Sequence, residues 1–165
     1  MKLVVTGHDA NGGSIFTHAG APPRETSPGS YELWTTKGPI EMPDRANAKG
    51  PAAIGYFPQV GETAFKIVTV PGLAARAATA GGPVELPDEI RAHFDPKDPE
   101  MHTTDTIDYV LVLSGSADLE LDFGKKEAVA AGDCVVQRGT RHAWRVTSQD
   151  PLVLCAVLIG AHRIA

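Results

Sequence analysis

Residues 100–115 read EMHTTDTIDYVLVLSG, and the fold turns on how this stretch is read. His102, Thr104, Thr106 and Asp108 stand at every second position, and an apolar run follows that Gly115 closes. Side chains along a β-strand alternate between its faces, so a spacing of two puts all four polar groups on one side, in line with Val110 and Val112. Such a row is costly to bury unless a metal ion, a ligand or ordered water satisfies it. Tyr109 has the opposite parity and is expected outside.

Beyond this stretch the chain continues as short strand-like runs at regular spacing: 117–123, 127–130, 134–138, 142–147 and 152–159. Ser114-Gly115-Ser116, Gly124-Lys125-Lys126 and Ala131-Gly132-Asp133 supply turns between them. Strands spaced in this way predict a sandwich or barrel. Upstream, 2–6 and 14–18 flank Asn11-Gly12-Gly13 and read as a hairpin. Strands are also expected at 31–36 and 63–70, the latter with Phe65 and Ile67 on one face. Residues 19–30 and 37–58 read as loops. Residues 87–94 (PDEIRAHF) are the best helix candidate, with Pro and acids early and Ile90 and Phe94 four apart.

At 165 residues, 42% of them hydrophobic, the chain is most simply one domain with a real core. Residues 1–99 would carry an N-terminal extension and the first barrel strands, and residues 100–160 the motif-bearing core. The formal charge of −5 excludes broad phosphate-backbone binding, so no nucleic-acid partner is expected. No apolar run approaches the roughly 20 residues of a spanning helix, and the N-terminus lacks a signal peptide's long apolar stretch. A cytoplasmic protein without a membrane partner is expected. Cys134 and Cys155 sit in apolar runs without metal-type spacing and read as buried free thiols.

Two segments carry the chemistry. The first is His102-x-Thr104-x3-Asp108-x6-Gly115; the second is Gly132-Asp133 followed by Arg138-Gly139-Thr140-Arg141-His142-Ala143-Trp144. Together they resemble the cupin superfamily, whose motifs are commonly written G-x5-H-x-H-x3-4-E-x6-G and G-x5-7-P-x-G-x2-H-x3-N. His102 falls on the first histidine, Asp108 on the glutamate, and Gly132, Gly139 and His142 on their counterparts. Thr104 stands where the second histidine belongs, Arg138 where the proline does, and Val146 where the asparagine does. VVTGHDANGGS and YELWTT look like the N-terminal region of a bacterial and fungal subgroup of small cupins. The resemblance implies an all-β, cupin-type double-stranded β-helix, a jelly-roll barrel with an N-terminal β extension, and a homodimer.

It also implies a divalent metal ion (Fe, Mn, Ni or Zn) held by His102, Asp108 and His142. Two imidazoles and a carboxylate are a competent set, similar to the facial arrangement of non-haem iron sites. Thr104 is a poorer ligand than imidazole, and Asp is one methylene shorter than Glu. Thr104, Thr106, Gln137 and Trp144 are expected to line a ligand pocket, with Trp144 on the face of His142. Arg138 and Arg141 read as solvated surface. His8, His18 and His162 read as incidental, and so does His93, though its loop leads into the His102 strand. Two functions compete. One is a metal-dependent enzyme acting on a small organic molecule by oxygenase or isomerase/cyclase chemistry. The other is a metal-free small-molecule-binding module.

Overall fold

Short strands broken by glycine and proline turns collect into two sheets with the core between them. The computed structural model describes residues 1–44, 50–78 and 88–164. The chain opens with a hairpin, β1 (Leu3–His8) and β2 (Ser14–Gly20), which forms a two-stranded sheet of its own. The Asp9 carboxylate closes its turn by accepting from the Asn11 and Gly13 amides, both at 2.8 Å. Next come β3 (Arg24–Ser27), β4 (Ser30–Lys37), β5 (Glu62–Val70) and two short helices, α1 (Leu73–Ala78) and α2 (Asp88–Arg91). After β6 (Phe94–Asp95) and β7 (Asp98–His102), the central strand β8 (Thr106–Ser114) leads into β9 (Ser116–Leu121) and β10 (Lys126–Ala130). The chain finishes with β11 (Cys134–Arg138), β12 (His142–Val146) and β13 (Leu152–Gly160).

One sheet runs β11-β8-β13-β5-β4-β3 and the other β10-β9-β12-β7-β6. Val110, Val112, Leu152, Leu154, Ala156 and Leu158 from the first pack with Ala117, Val129 and Val146 from the second in one apolar cluster. The jelly-roll, double-stranded β-helix expected from the motifs is what forms. Gly115 makes the tight passage from β8 to β9. Its φ of +79° favours glycine, and a Cβ there would lie 2.7 Å from the Pro151 carbonyl oxygen.

Several expectations need correction. Residues 102–108 are not one strand: β7 ends at His102 in the five-stranded sheet, and 103–105 carry the chain across to β8 in the six-stranded one. The region read as a loop over 19–30 contains β3, which pairs with β4 as an edge strand. The helix expected over 87–94 is helical only at Asp88–Arg91, and Phe94 already belongs to β6; Pro87 lies outside the described residues. Helix α1 had no clear signal in the sequence. The loop expected at 37–58 holds for residues 38–44 and 50–58, while 45–49 lie outside the described residues. Both cysteines are free, but Cys134 is exposed and Cys155 half-buried. Their runs are apolar because the outer face of this sheet is apolar too.

That outer face presents Tyr109, Leu111 and Leu113 from β8 and Val136 from β11, with Tyr109 outside the barrel as its parity predicts. Among the described residues no helix is long and apolar enough to cross a membrane.

The five-stranded sheet has a weak seam. β7 and β12 share a single Cα pairing, His142 with His102. Arg145 spans this seam from β12. It pairs with Asp98, with Glu100 at 2.8 Å and with Glu120 at 2.9 Å, tying β7 to β9 across its own strand. Arg76 from α1 adds a second contact to Glu100 at 2.5 Å. Arg145→Ala is expected to destabilise the fold, because it leaves Asp98 without its arginine and removes one of two basic partners from Glu100, which keeps Arg76, and from Glu120, which keeps Lys126. Urea unfolding would measure the loss, and an unchanged midpoint would show that solvent already neutralises the network.

Candidate functional site

The site starts at the seam. Paired positions on neighbouring strands put their side chains on the same face, so the His142–His102 pairing brings the two imidazoles together. Their ring centroids lie 4.2 Å apart at an interplanar angle of 55°. His102 Nδ1 donates to the Glu100 carbonyl at 3.1 Å, and His142 Nδ1 donates to the Thr140 carbonyl at 2.9 Å. A carbonyl oxygen only accepts, so each bond fixes the Nδ1–H tautomer and leaves the Nε2 lone pair available. Phe94 stacks on His102 with centroids 4.6 Å apart.

Electrostatics keep both rings neutral. Burial pulls the His142 pKa down from 6.5 to about 4, with the neighbouring His102 adding to the fall and the bond to Thr140 opposing it. Burial likewise lowers His102, against its bond to Glu100, with His93 contributing further. His93, noted for its place before the His102 strand, does lie close by. Its Nδ1 donates to the Thr103 carbonyl at 3.2 Å, and its ring meets Phe57 edge-on.

Thr106, Asp108 and Gln137 stand on the opposite sheet, Thr104 lies in the crossing that leads to it, and Trp144 shares β12 with His142. Thr104 and Thr106 are buried and share a hydroxyl–hydroxyl bond of 2.8 Å. Asp108 is buried one inward position further along. Burial raises its pKa, partly offset by a hydrogen bond from Thr106 and by the charge of Lys66. Gln137 is its Cα partner across β11 and β8 and is also buried. Trp144 is half-buried and packs against the apolar cluster. Arg138 is exposed as expected, while Arg141 is held by Asp95 at 2.5 Å and Asp122 at 2.9 Å.

Comparison with known proteins fits this geometry. The chain is 31% identical over 147 residues to a phomopsin biosynthesis cluster protein C' of Diaporthe leptostromiformis, a match covering 86% of this chain and 68% of that protein. A shorter match, 43% identical over 44 residues, joins it to the cupin-domain-containing oxidoreductase srdD of Neurospora crassa, covering 27% of this chain and 22% of that one. In fold the chain is a cupin, a double-stranded β-helix. No protein-family model matches it. Among solved structures, an RmlC-like cupin with a double-stranded β-helix from Methanocaldococcus jannaschii is 12% identical, with a TM-score of 0.39 over 61% of this chain and 71% of that one.

The structure of this cupin bears unevenly on the expected metal donors. The donor chemistry of the imidazole pair fits a divalent ion: two neutral rings, both with Nε2 free and Nδ1 anchored to backbone, as metal-ligating histidines are commonly held. Asp108 does not complete the set. Among the described residues no three His, Cys, Asp or Glu side chains converge closely enough to hold an ion. The reason is the strand break at 103–105, which leaves Asp108 on one sheet and both histidines on the other.

Sequence reading missed two parts of this cupin's interior. Lys66 on β5 is 3% exposed, 3.8 Å from Glu32 on β4, with its ammonium 3.9 Å from the Tyr56 ring centre. Alternation in 63–70 would have found Lys66 opposite Phe65 and Ile67, but a lysine reads as the solvent side. Arg163, near the end of the described chain, donates to the carbonyls of Thr104 at 3.1 Å and Gly139 at 3.2 Å and pairs with Asp105. It ties the crossing segment to the turn before His142, and nothing in the sequence marks it.

The lowered imidazole pKa values set a sign for acid stability. The unfolded chain takes up protons on these histidines near pH 6.5, while folded His142 resists until about pH 4. Stability present above pH 6.5 is therefore lost as pH falls through that window. Chemical denaturation at successive pH values should show this slope, reduced in His142→Asn. An equal slope in the variant would mean that other groups carry the acid sensitivity.

Proposed function

We propose that this cupin acts on a small organic molecule inside its barrel, with His102 and His142 as the protein's nitrogen donors to a divalent ion of the Fe, Mn, Ni or Zn class. The observation that carries the reading is the matched pair of Nδ1–H bonds to backbone carbonyls, which aligns two neutral imidazoles with free Nε2 atoms. The chemistry such an ion supplies is Lewis-acid polarisation of a substrate oxygen or, for a redox-active metal, electron transfer with O2. The chain's own groups do the rest. Phe94 and the backbone bonds hold the rings in place, Trp144 and the apolar cluster keep water out, and the polar groups of β8 and β11 orient the molecule.

The relatives support a biosynthetic setting, since the Diaporthe protein is described as belonging to a phomopsin biosynthesis cluster. Between the oxygenase and isomerase or cyclase reactions, the description of the Neurospora protein as an oxidoreductase supports the first.

Titration of the purified cupin with Fe(II), Mn(II), Ni(II) and Zn(II) tests the assignment. About one equivalent of at least one ion should bind, and His102→Ala and His142→Ala should each abolish binding. Asp108→Ala should leave it nearly unchanged. A loss with Asp108→Ala as large as with the histidines would return the carboxylate to the donor set. Failure of all four ions to bind would favour the second reading, a metal-free binding module, which the standoff of Asp108 and the Thr104–Thr106 bond support.

We also propose a homodimer in which a second copy covers the outward face of β8 and β11, where Tyr109 is 52% and Val136 59% exposed. An apolar face of that kind is unusual on a monomer. Light scattering should give twice the chain mass, and Tyr109→Glu with Val136→Glu should give the monomer. A native monomer would overturn the idea.

A further inference from the structure

Two buried polar atoms inside the barrel have no hydrogen-bond partner among the described residues: Asp108 Oδ1 and Gln137 Nε2. Both residues are more than nine-tenths buried, Asp108 at 8% exposure and Gln137 at 4%. They are Cα partners on antiparallel strands and share the inward face, which places their Cβ atoms about 5 Å apart. The two side chains therefore stand side by side without bonding each other. Buried polar groups are nearly always paired, and an orphaned donor beside an orphaned acceptor marks a place where something else supplies both partners.

The surroundings orient the pair. Thr106 donates to the Asp108 carboxyl, and Thr104 bonds Thr106, so the carboxyl is steered from one side. Across the sheet from Asp108 the inward neighbours are Leu158 and Ala64, an apolar floor with little bulk at Ala64. Hydrogen bonds made over such a floor are strengthened by the low local dielectric. A cleft of about 200 Å³ opens at the start of β8, lined by Thr106, Ile107, Arg138 and Gly139 among others; Asp108 and Gln137 stand just beyond it along their strands and do not line it.

The ligand group follows from the donor–acceptor pattern. Gln137 Nε2 offers an N–H, and Asp108 Oδ1 accepts one, so the complement is an acceptor beside a donor on one edge. An ester or ketone supplies the acceptor alone. A carboxylate supplies acceptors only, and so leaves Asp108 Oδ1 without a donor. A trans secondary amide points its C=O and N–H in opposite directions. A primary carboxamide or a lactam presents both on one edge.

We propose that Asp108 and Gln137 form a subsite for the cis-amide edge of a small organic ligand, a primary carboxamide or a lactam. The proposal rests on the small-molecule reading above and adds the group that is recognised. It gives Asp108 a role that does not require it to reach the histidines.

Three probes of one shape test it: 2-piperidone, N-methyl-2-piperidone and δ-valerolactone, titrated by NMR into the full chain in the presence of EDTA. The lactam should shift the Gln137 side-chain amide signals saturably. The N-methyl lactam and the lactone, each lacking the N–H, should bind at least tenfold more weakly. Asp108→Ala and Gln137→Glu, checked as folded by their spectra, should each cost at least tenfold in lactam binding. Lactam binding that is absent, matched by the N-methyl compound or indifferent to both substitutions overturns the subsite. Zn(II) uptake by the same protein without EDTA reads the histidine pair separately. Metal bound without lactam sinks the subsite alone, and lactam bound without metal sinks the metal assignment alone.

Discussion

The site hangs on one cross-strand pairing. β7 and β12 meet only at His102 and His142, and that single register position decides whether two imidazoles face each other or stand apart. A slip of one residue would turn either ring to the other face, because side chains alternate along a strand. The backbone supplies little at this seam, so side chains hold it. Arg145 joins β7 to β9, and Arg163 ties 103–105 to the turn that ends at His142. Two arginines outside the chemistry thus fix the geometry within it.

Much of the fold was legible because β8 is so regular. Its inward Thr106, Asp108, Val110 and Val112 alternate with the outward Ile107, Tyr109, Leu111 and Leu113 as the pattern demands. The C-terminal meander followed from its turns. The N-terminal half resisted for physical reasons. β4 carries a bulge between Glu32 and Trp34, so alternation along YELWTT changes phase, and Glu32 turns inward while Trp34 aligns with the outward Phe65. β3 is a four-residue edge strand with a polar sequence, and short exposed edges carry little hydrophobic signal. Outward apolar residues also misled, since Cys134 sits in an apolar run on an exposed face.

Within the site, the meeting of the two histidines was legible from motif spacing, and the position of Asp108 relative to them was not. Spacing along a chain says which face a residue takes only while the strand continues. The break at 103–105 hands the chain from one sheet to the other, so His102 and Asp108 both point inward but from opposite walls. Thr104 lies in that crossing. Its hydroxyl is engaged by Thr106 and its carbonyl by Arg163. Replacing a histidine with threonine at this position therefore removes a donor and installs a joint in the wall.

The interior also carries charge, and that bears on what the barrel can admit. Lys66 and Glu32 are paired across β5 and β4, each nearly buried, with Tyr56 capping the ammonium. A buried ion pair adds little net stability compared with an apolar pair of the same size, because desolvating both charges offsets their attraction. Its effect lies in the field it sets up. The ammonium lowers the cost of a carboxylate at Asp108, while burial, the larger effect, raises its pKa. The opposite wall is kept neutral at His102 and His142 by burial and by their mutual repulsion when charged. On the proposed reading, a molecule in the barrel meets neutral imidazoles on one side and hydrogen-bonding groups on the other. That division favours polar, uncharged functional groups over strongly anionic ones.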